Sequence, residues 1–198
     1  MRPPFAGSAA KAALRADAMA RRDALSEAER AAGSARIMER AIAIIEPLKP
    51  AVIATYRAIR TEVVPDAVTD WALGRGLVVV LPAVLDATTL VFRRYRPGDP
   101  LALGGFGTLS PPPDAPEIDP DVIVTPMVAF DRQGVRLGHG RGYYDRGVLA
   151  LHAKGLRPAL VGVAFAVQEV GSIPAEPHDS RMDWIVTENE TIDLRHIG

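Results

Sequence analysis

The chain has 198 residues, 48% of them hydrophobic and 24% charged, and a formal net charge of −1. That is enough length and apolar content for one domain with a buried core, and it excludes both an extended disordered chain and the global polycation of a nucleic-acid binder. There is no cysteine, which removes disulfides, Cys-ligated zinc, iron–sulfur clusters and cysteine nucleophiles together. The long uncharged stretch Leu101–Pro113 holds three glycines and three prolines, so nothing approaches the ~20 apolar residues of a membrane span. Lys11, Arg15 and Asp17 interrupt the place where a secretory signal needs an apolar segment. Ser8–Arg22 is arginine-rich like a mitochondrial transit peptide, but Asp17 and Asp23 count against one, and a cytoplasmic protein is expected.

In chain order, Ser8 caps a first helix reaching Leu25. Ser26-Glu27-Ala28-Glu29 is a capping box, in which serine and glutamate satisfy each other's free backbone donors. The helix it opens carries Ile37, Ala41, Ile44, Ile45 and Leu48 on one face until Pro50 stops it. Ala51–Thr55 reads as a short buried strand. Pro65 opens a third helix, which Gly74 and Gly76 end. Leu77–Leu81 is a continuous apolar run, as expected of a strand covered on both faces, and Thr88–Phe92 is a further strand. Residues 104–120 form a loop dense in glycine and proline, equally readable as functional or as a solvated connection. Asp121–Thr125 is a strand, Gly142–Lys154 a helix ended by Gly155, and Leu160–Phe165 and Met182–Thr187 are the last strands. Regular alternation of apolar strands with helices predicts an α/β fold: a largely parallel sheet sandwiched by helices in a Rossmann-like three-layer architecture. No repeat is visible, so residues 1–198 read as a single domain with the helical segment 8–48 packed on it.

The strongest chemical signal is Phe130-Asp131-Arg132-Gln133-Gly134-Val135-Arg136-Leu137-Gly138-His139-Gly140-Arg141-Gly142-Tyr143-Tyr144-Asp145-Arg146, between a strand and a helix. Three glycines at alternate positions let the backbone approach an anion, the helix start supplies free N–H groups and partial positive charge, and Arg136 and Arg141 add full charges. Together they make a phosphate cradle. The spacing is neither a Walker loop nor the dinucleotide fingerprint, and a tight structural turn explains the glycines alone nearly as well. Asp145, in the first helical turn, is either a complement to the helix dipole or a magnesium ligand beside bound phosphates. Tyr143 and Tyr144 point about 100° apart, one toward the core and one toward the site. Lys11 and Arg15 share a helix face that Arg22 continues, either a solvated stripe or a polyphosphate clamp. Glu62 follows a strand end, where open α/β sheets bind ligands, and is otherwise a surface charge. His178-Asp179 reads first as loop surface and second as a source of a metal carboxylate. His139, His152 and His196 form no ligand spacing, and there is no Gly-x-Ser-x-Gly elbow.

The run from Pro126 through Arg146 resembles the signature of the 5-formyltetrahydrofolate cyclo-ligase family. Lys11-Ala12-Ala13-Leu14-Arg15, Tyr56 to Glu62-Val63, Val161-Gly162-Val163-Ala164-Phe165 with Gln168, and Pro174 through His178-Asp179, Asp183 and Ile185-Val186-Thr187 are similar to its other blocks, in the same order. The resemblance implies ATP-dependent closure of 5-formyltetrahydrofolate to 5,10-methenyltetrahydrofolate, with release of ADP and phosphate. It implies ATP held by Lys11, Arg15, Arg136, Leu137, Gly138, His139, Gly140, Arg141, Gly142, Tyr143 and Tyr144. Arg57, Glu62 and Tyr144 then meet the folate, Asp145 and Asp179 hold Mg2+, and Glu62, Arg141 and Tyr144 form the catalytic set. Partners are the folate substrate and ATP, with no nucleic acid and no membrane, and a monomer is expected. Where the family has a Gly-Ile-x-Glu-Pro element, this chain has Gly107-Thr108-Leu109-Ser110-Pro111; Val64-Pro65 follows Glu62-Val63; His139 stands where Tyr or Arg is usual. These departures touch the folate side, and leave two alternatives: a folate- or nucleotide-binding regulatory protein without turnover, or an ATP-using relative acting on another substrate. A sugar-phosphate or CoA-site protein of similar architecture is a third, on fold alone.

Overall fold

The computed structural model describes residues 6–104, 108–176 and 179–196. Gly107, Pro177 and His178, singled out above, lie outside the described residues.

Two helices lead, α1 (Ala6–Asp23) and α2 (Glu27–Ile45). Ser8 lies inside α1, which already runs from Ala6, and so does not occupy the N-cap position expected of it. The capping box at Ser26 is present: its hydroxyl accepts from Glu29 N at 3.2 Å, and Glu29 Oε2 accepts from Ser26 N at 2.8 Å. The Ser26 hydroxyl, which donates to Glu29 Oε2 at 2.6 Å, and then the Ser26 amide hold the Glu29 carboxyl below its ordinary range. α2 stops at Ile45, earlier than expected, in a single 3-10 turn at Glu46–Leu48 where Pro47 cannot donate.

One seven-stranded sheet follows. Its strands are β1 (Val52–Ala54), β2 (Val78–Val84), β3 (Leu90–Tyr95), β6 (Val122–Pro126), β9 (Ala159–Val163), β10 (Trp184–Val186) and β11 (Thr191–Asp193). They lie in the order β11-β10-β9-β6-β1-β2-β3. The five inner strands are parallel, and the two edges, β3 and β11, run antiparallel. β3 returns from β2 through a turn fixed by Asp86, whose Oδ1 accepts from Thr88 N at 2.7 Å and Thr89 N at 2.9 Å; these bonds lower its carboxyl to about 2. Two short hairpins stand off the sheet. β4 (Ala102–Leu103) pairs with β5 (Leu109–Ser110) across the start of the proline-rich loop, and β7 (Ala129–Phe130) pairs with β8 (Arg136–Leu137) at the glycine motif.

Side chains alternate across the sheet, so each strand serves two cores. Ile53, Val79, Val122, Val124, Val161 and Val163 pack on one face against Ile37, Met38, Ala41 and Ile45 of α2 and Val68 and Ala72 of α3 (Asp66–Gly74). Ala54, Val80, Ile123, Leu160 and Ile185 pack on the other against Val148 and Leu151 of α4 (Tyr143–Ala153). This is the three-layer α/β sandwich the alternation predicts. α1 belongs to neither layer. Leu14 and Ala18 pack it on the β7–β8 hairpin, against Ala129, Val135 and Leu137, with Val170 and Ile173 closing the cluster.

The strand order positions the site. From β1 the chain moves outward one way, to β2 and β3; from β6 it moves the other way, to β9, β10 and β11. The reversal opens a crevice beyond the carboxyl ends of β1 and β6, where doubly wound sheets bind ligands. Glu62 follows β1, and the glycine motif follows β6.

Candidate functional site

Each wall of the crevice is built locally. The loop after β1 is closed by Tyr56, buried, whose hydroxyl donates to Val63 O at 2.5 Å. Burial first, then the Glu62 carboxylate, pushes that hydroxyl's pKa well above the usual tyrosine value. Glu62 is itself only 6% exposed. Its Oε2 accepts from Ile59 N at 3.1 Å, so its own loop fixes one oxygen.

The second wall is the segment from β8 to α4. Gly140 at φ +93° and Gly142 at φ +64° take left-handed conformations that a side chain would resist, and Gly142 is the N-cap of α4. Arg146 ties the segment down: Nη2 donates to Arg141 O at 2.6 Å and to Ala87 O at 3.1 Å, and Nε to Thr88 O at 2.8 Å. Asp131, quoted in the motif, is structural. It is buried, and its two oxygens accept from the backbone N–H groups of Gln133, Val135 and Ile173.

The third wall is α1. Lys11, Arg15 and Arg22 do not form a solvated stripe. Lys11 is 8% exposed, with Nζ 3.1 Å from Asp179 Oδ2 and 3.5 Å from Glu176 Oε2. Arg15 Nε donates to Gly138 O at 2.8 Å, clamping the glycine segment to the helix. Arg22 is 1% exposed; its Nε donates to Thr61 Oγ1 at 3.0 Å, against the loop that carries Glu62. Arg22 Nη1 and Nη2 are buried without a hydrogen-bond partner among the described residues.

The structure therefore brings together most of the residues the sequence singles out. His139 Nε2 lies 3.1 Å from Glu62 Oε1, joining the glycine segment to the loop after β1. Of the tyrosine pair, Tyr144 faces this junction. It bonds the Thr125 hydroxyl at the end of β6, and burial and then Glu62 raise its pKa above the ordinary range. Tyr143 turns the other way and stacks under the Arg146 guanidinium, 5.2 Å from ring centre to Cζ. Arg141 is exposed on the rim. Two residues expected at the nucleotide turn inward instead. Arg136 Nη2 donates to Asp145 Oδ1 at 2.9 Å and Nη1 to Ser180 O at 2.9 Å, and the Leu137 side chain is in the core beneath α1. Arg57 stands at the edge, its Nη1 3.5 Å from Asp66 Oδ1 in an exposed pair.

Asp145 and Asp179 can be tested as a magnesium pair. Asp145 Oδ1 also accepts from Ser180 N at 3.1 Å, so the two carboxylates belong to neighbouring points of one rim. Each also meets a cation, Arg136 and Lys11 respectively. Among the described residues no group of three or more His, Cys, Asp or Glu is arranged to hold a metal. Two adjacent carboxylates without a closed cage fit Mg2+, which keeps waters and takes its other ligands from substrate phosphates.

Sequence reasoning passed over Thr61, Thr125, Glu176 and the Ser180 backbone, because each acts by contact across the fold. Arg22 carried a signal, the spacing that sets it on the Lys11–Arg15 face.

An open doubly wound sheet with a glycine-rich helix entry and a carboxylate at its switch point defines an α/β protein of the class whose ligands bind at the carboxyl edge of the sheet. The chain belongs to the 5-formyltetrahydrofolate cyclo-ligase family, whose model matches residues 7–188. It is 35% identical to the 5-formyltetrahydrofolate cyclo-ligase of Mycolicibacterium smegmatis over 68% of this chain and 72% of that one. It is 32% identical to that of Haemophilus influenzae over 72% of this chain and 79% of that one. The 5,10-methenyltetrahydrofolate synthetase of Aquifex aeolicus superposes with a TM-score of 0.77 at 31% identity, covering 93% of each chain. The Mycoplasma pneumoniae synthetase gives a TM-score of 0.73 at 26% identity, covering 90% of this chain and 98% of that one. Among the described residues no helix is long and apolar enough to cross a membrane.

Proposed function

We propose that this chain closes 5-formyltetrahydrofolate to 5,10-methenyltetrahydrofolate, converting ATP to ADP and phosphate, as a monomeric cytoplasmic enzyme acting through one domain. The observation that carries the reading is the contact of His139 with Glu62, which puts the glycine segment and the loop after β1 within one crevice. Family membership supplies the substrate class.

In this reading the formyl oxygen attacks the γ-phosphorus of ATP and ADP leaves. The neighbouring amine nitrogen then attacks the activated carbon and releases its proton to solvent, and phosphate is expelled with the oxygen. Neither step needs a covalent intermediate on the protein, so catalysis is positioning and charge stabilisation. The backbone of residues 136–144 and the N-terminus of α4 receive the phosphates, Lys11 and Arg15 border them from α1, and Arg141 reaches them from the rim. Glu62 orients the folate, with Arg57 outside it and Tyr144 behind it. Asp145 and Asp179 are the residues that would hold Mg2+, which neutralises phosphate charge when bound.

The test is the absorbance of the methenyl product on mixing purified protein with 5-formyltetrahydrofolate. Product is expected only with both ATP and Mg2+ present. Folded protein that binds both substrates without forming product would overturn the reading in favour of a regulatory binding protein.

A further inference from the structure

His139 lies in the glycine segment, and the resemblance assigns it to ATP. Its side chain goes elsewhere. Nε2 is 3.1 Å from Glu62 Oε1, on the loop after β1. We propose that the His139 side chain is a positioning residue for the folate, acting through Glu62, and that only its backbone serves the nucleotide.

The argument begins with Glu62. A carboxylate that is 6% exposed must be hydrogen-bonded, and each oxygen has one partner among the described residues. Oε2 takes Ile59 N–H from its own loop, and Oε1 faces His139. Without His139 the carboxylate keeps a single anchor and turns about its last torsion, which is soft. A ligand N–H meeting Glu62 then has to order it on binding.

His139 is in turn held in place. The carbonyl of the preceding residue, Gly138, accepts from Arg15 Nε at 2.8 Å, and the following residue, Gly140, turns the chain at φ +93°. A clamped carbonyl on one side and a fixed bend on the other give the imidazole a defined origin. Its side chain remains 42% exposed, against 5% for that of Glu62. Packing therefore does not explain its direction, and the partner does.

This inference rests on the proposed folate reading, and the experiment separates the two. Steady-state KM values for 5-formyltetrahydrofolate and for ATP are measured for the wild type, His139→Ala and His139→Gln. His139→Ala raises the folate KM by about five- to thirtyfold, the range for one hydrogen bond to a charged partner at a partly exposed site. The ATP KM stays within about twofold, because the backbone that meets the phosphates is intact. His139→Gln, whose amide N–H replaces Nε2–H, recovers most of the loss. Binding of 5-formyltetrahydrofolate without ATP completes the cycle: in a Glu62→Ala background His139→Ala adds no further loss. A rise in the ATP KM with an unchanged folate KM overturns the inference, and so does an additive loss in the Glu62→Ala background. A wild type that forms no product overturns the functional reading itself.

Discussion

Asp145 accepts hydrogen bonds from the Arg136 guanidinium and the Ser180 amide at the same oxygen, Oδ1. Three roles therefore compete at one carboxylate: complement to the α4 dipole, strut for Arg136 and ligand for Mg2+. Asp145→Asn separates them, since it keeps shape and one acceptor and removes the charge. The dipole contributes about 0.3–1 kcal/mol and the lost charge on the Arg136 bond about 1–3 kcal/mol, both visible in a thermal melt. The metal role predicts, in addition, turnover lower by on the order of a hundredfold and a higher Mg2+ concentration at half-activation. Turnover against magnesium is the measurement. An unchanged half-activation point leaves Asp145 as a strut. At this scale the sequence was legible wherever a residue acts through local chemistry. Gly142 at a helix start and the carboxylate three residues on are visible as such. The inward turn of Arg136 was not, because its partners Asp145 and Ser180 O are met only once the fold brings 136, 145 and 180 together.

Among the elements, α1 shows the limit of helix-face reasoning. Lys11, Arg15, Ala18 and Arg22 do lie on one face, but a lone helix with that face has every reason to leave it in water. What covers Ala18 is the β7–β8 hairpin, built from two-residue strands too short to register as a pattern, while Asp179 and Glu176 meet Lys11 and Thr61 meets Arg22. The edge strand β3 is legible as a strand over Thr88–Phe92, but its antiparallel direction is not: the Asp86 turn that reverses it shows only in the fold. β9 is legible as a buried strand, yet its Gly162 looks unremarkable. A Cβ there would sit 2.5 Å from Met127 Sδ and 3.0 Å from Met182 Cγ. The glycine is thus what lets the segments after β6 and before β10 close over the sheet. Gly162→Ala is expected to destabilise the protein by about 1–3 kcal/mol through overpacking, with methionine flexibility setting the lower end. Urea unfolding of the variant gives the value, and a change below about 0.5 kcal/mol would mean that Met127 simply moves aside.

For the molecule as a whole, the order of strands decides the function and is the feature least available to a reader of the chain. Alternating helices and strands announce a parallel sheet, but not that β6 lies beside β1. That neighbourhood is set by the pairing of Ile53 with Val122 and Ala54 with Ile123, contacts across about 70 residues. It turns two separate motifs into one crevice, and α1 then spans it from outside both layers. A ligand held between α1 and the sheet must therefore stabilise the assembly. At a hundred times its dissociation constant, a non-hydrolysable ATP analogue adds about 2.7 kcal/mol. For a chain of this size that raises Tm by about 5–10 °C. Lys11 reaches the rim from α1 and pairs with Asp179. Lys11→Ala lowers the unliganded Tm by breaking that pair, so each protein is referenced to its own ligand-free melt. If Lys11 also borders the phosphates, tenfold weaker binding removes about 1.4 kcal/mol at the same analogue concentration. The ligand-induced rise in Tm then falls to about half that of the wild type. An equal rise in both proteins would confine Lys11 to holding Asp179, and would leave the nucleotide to Arg15 and the glycine segment.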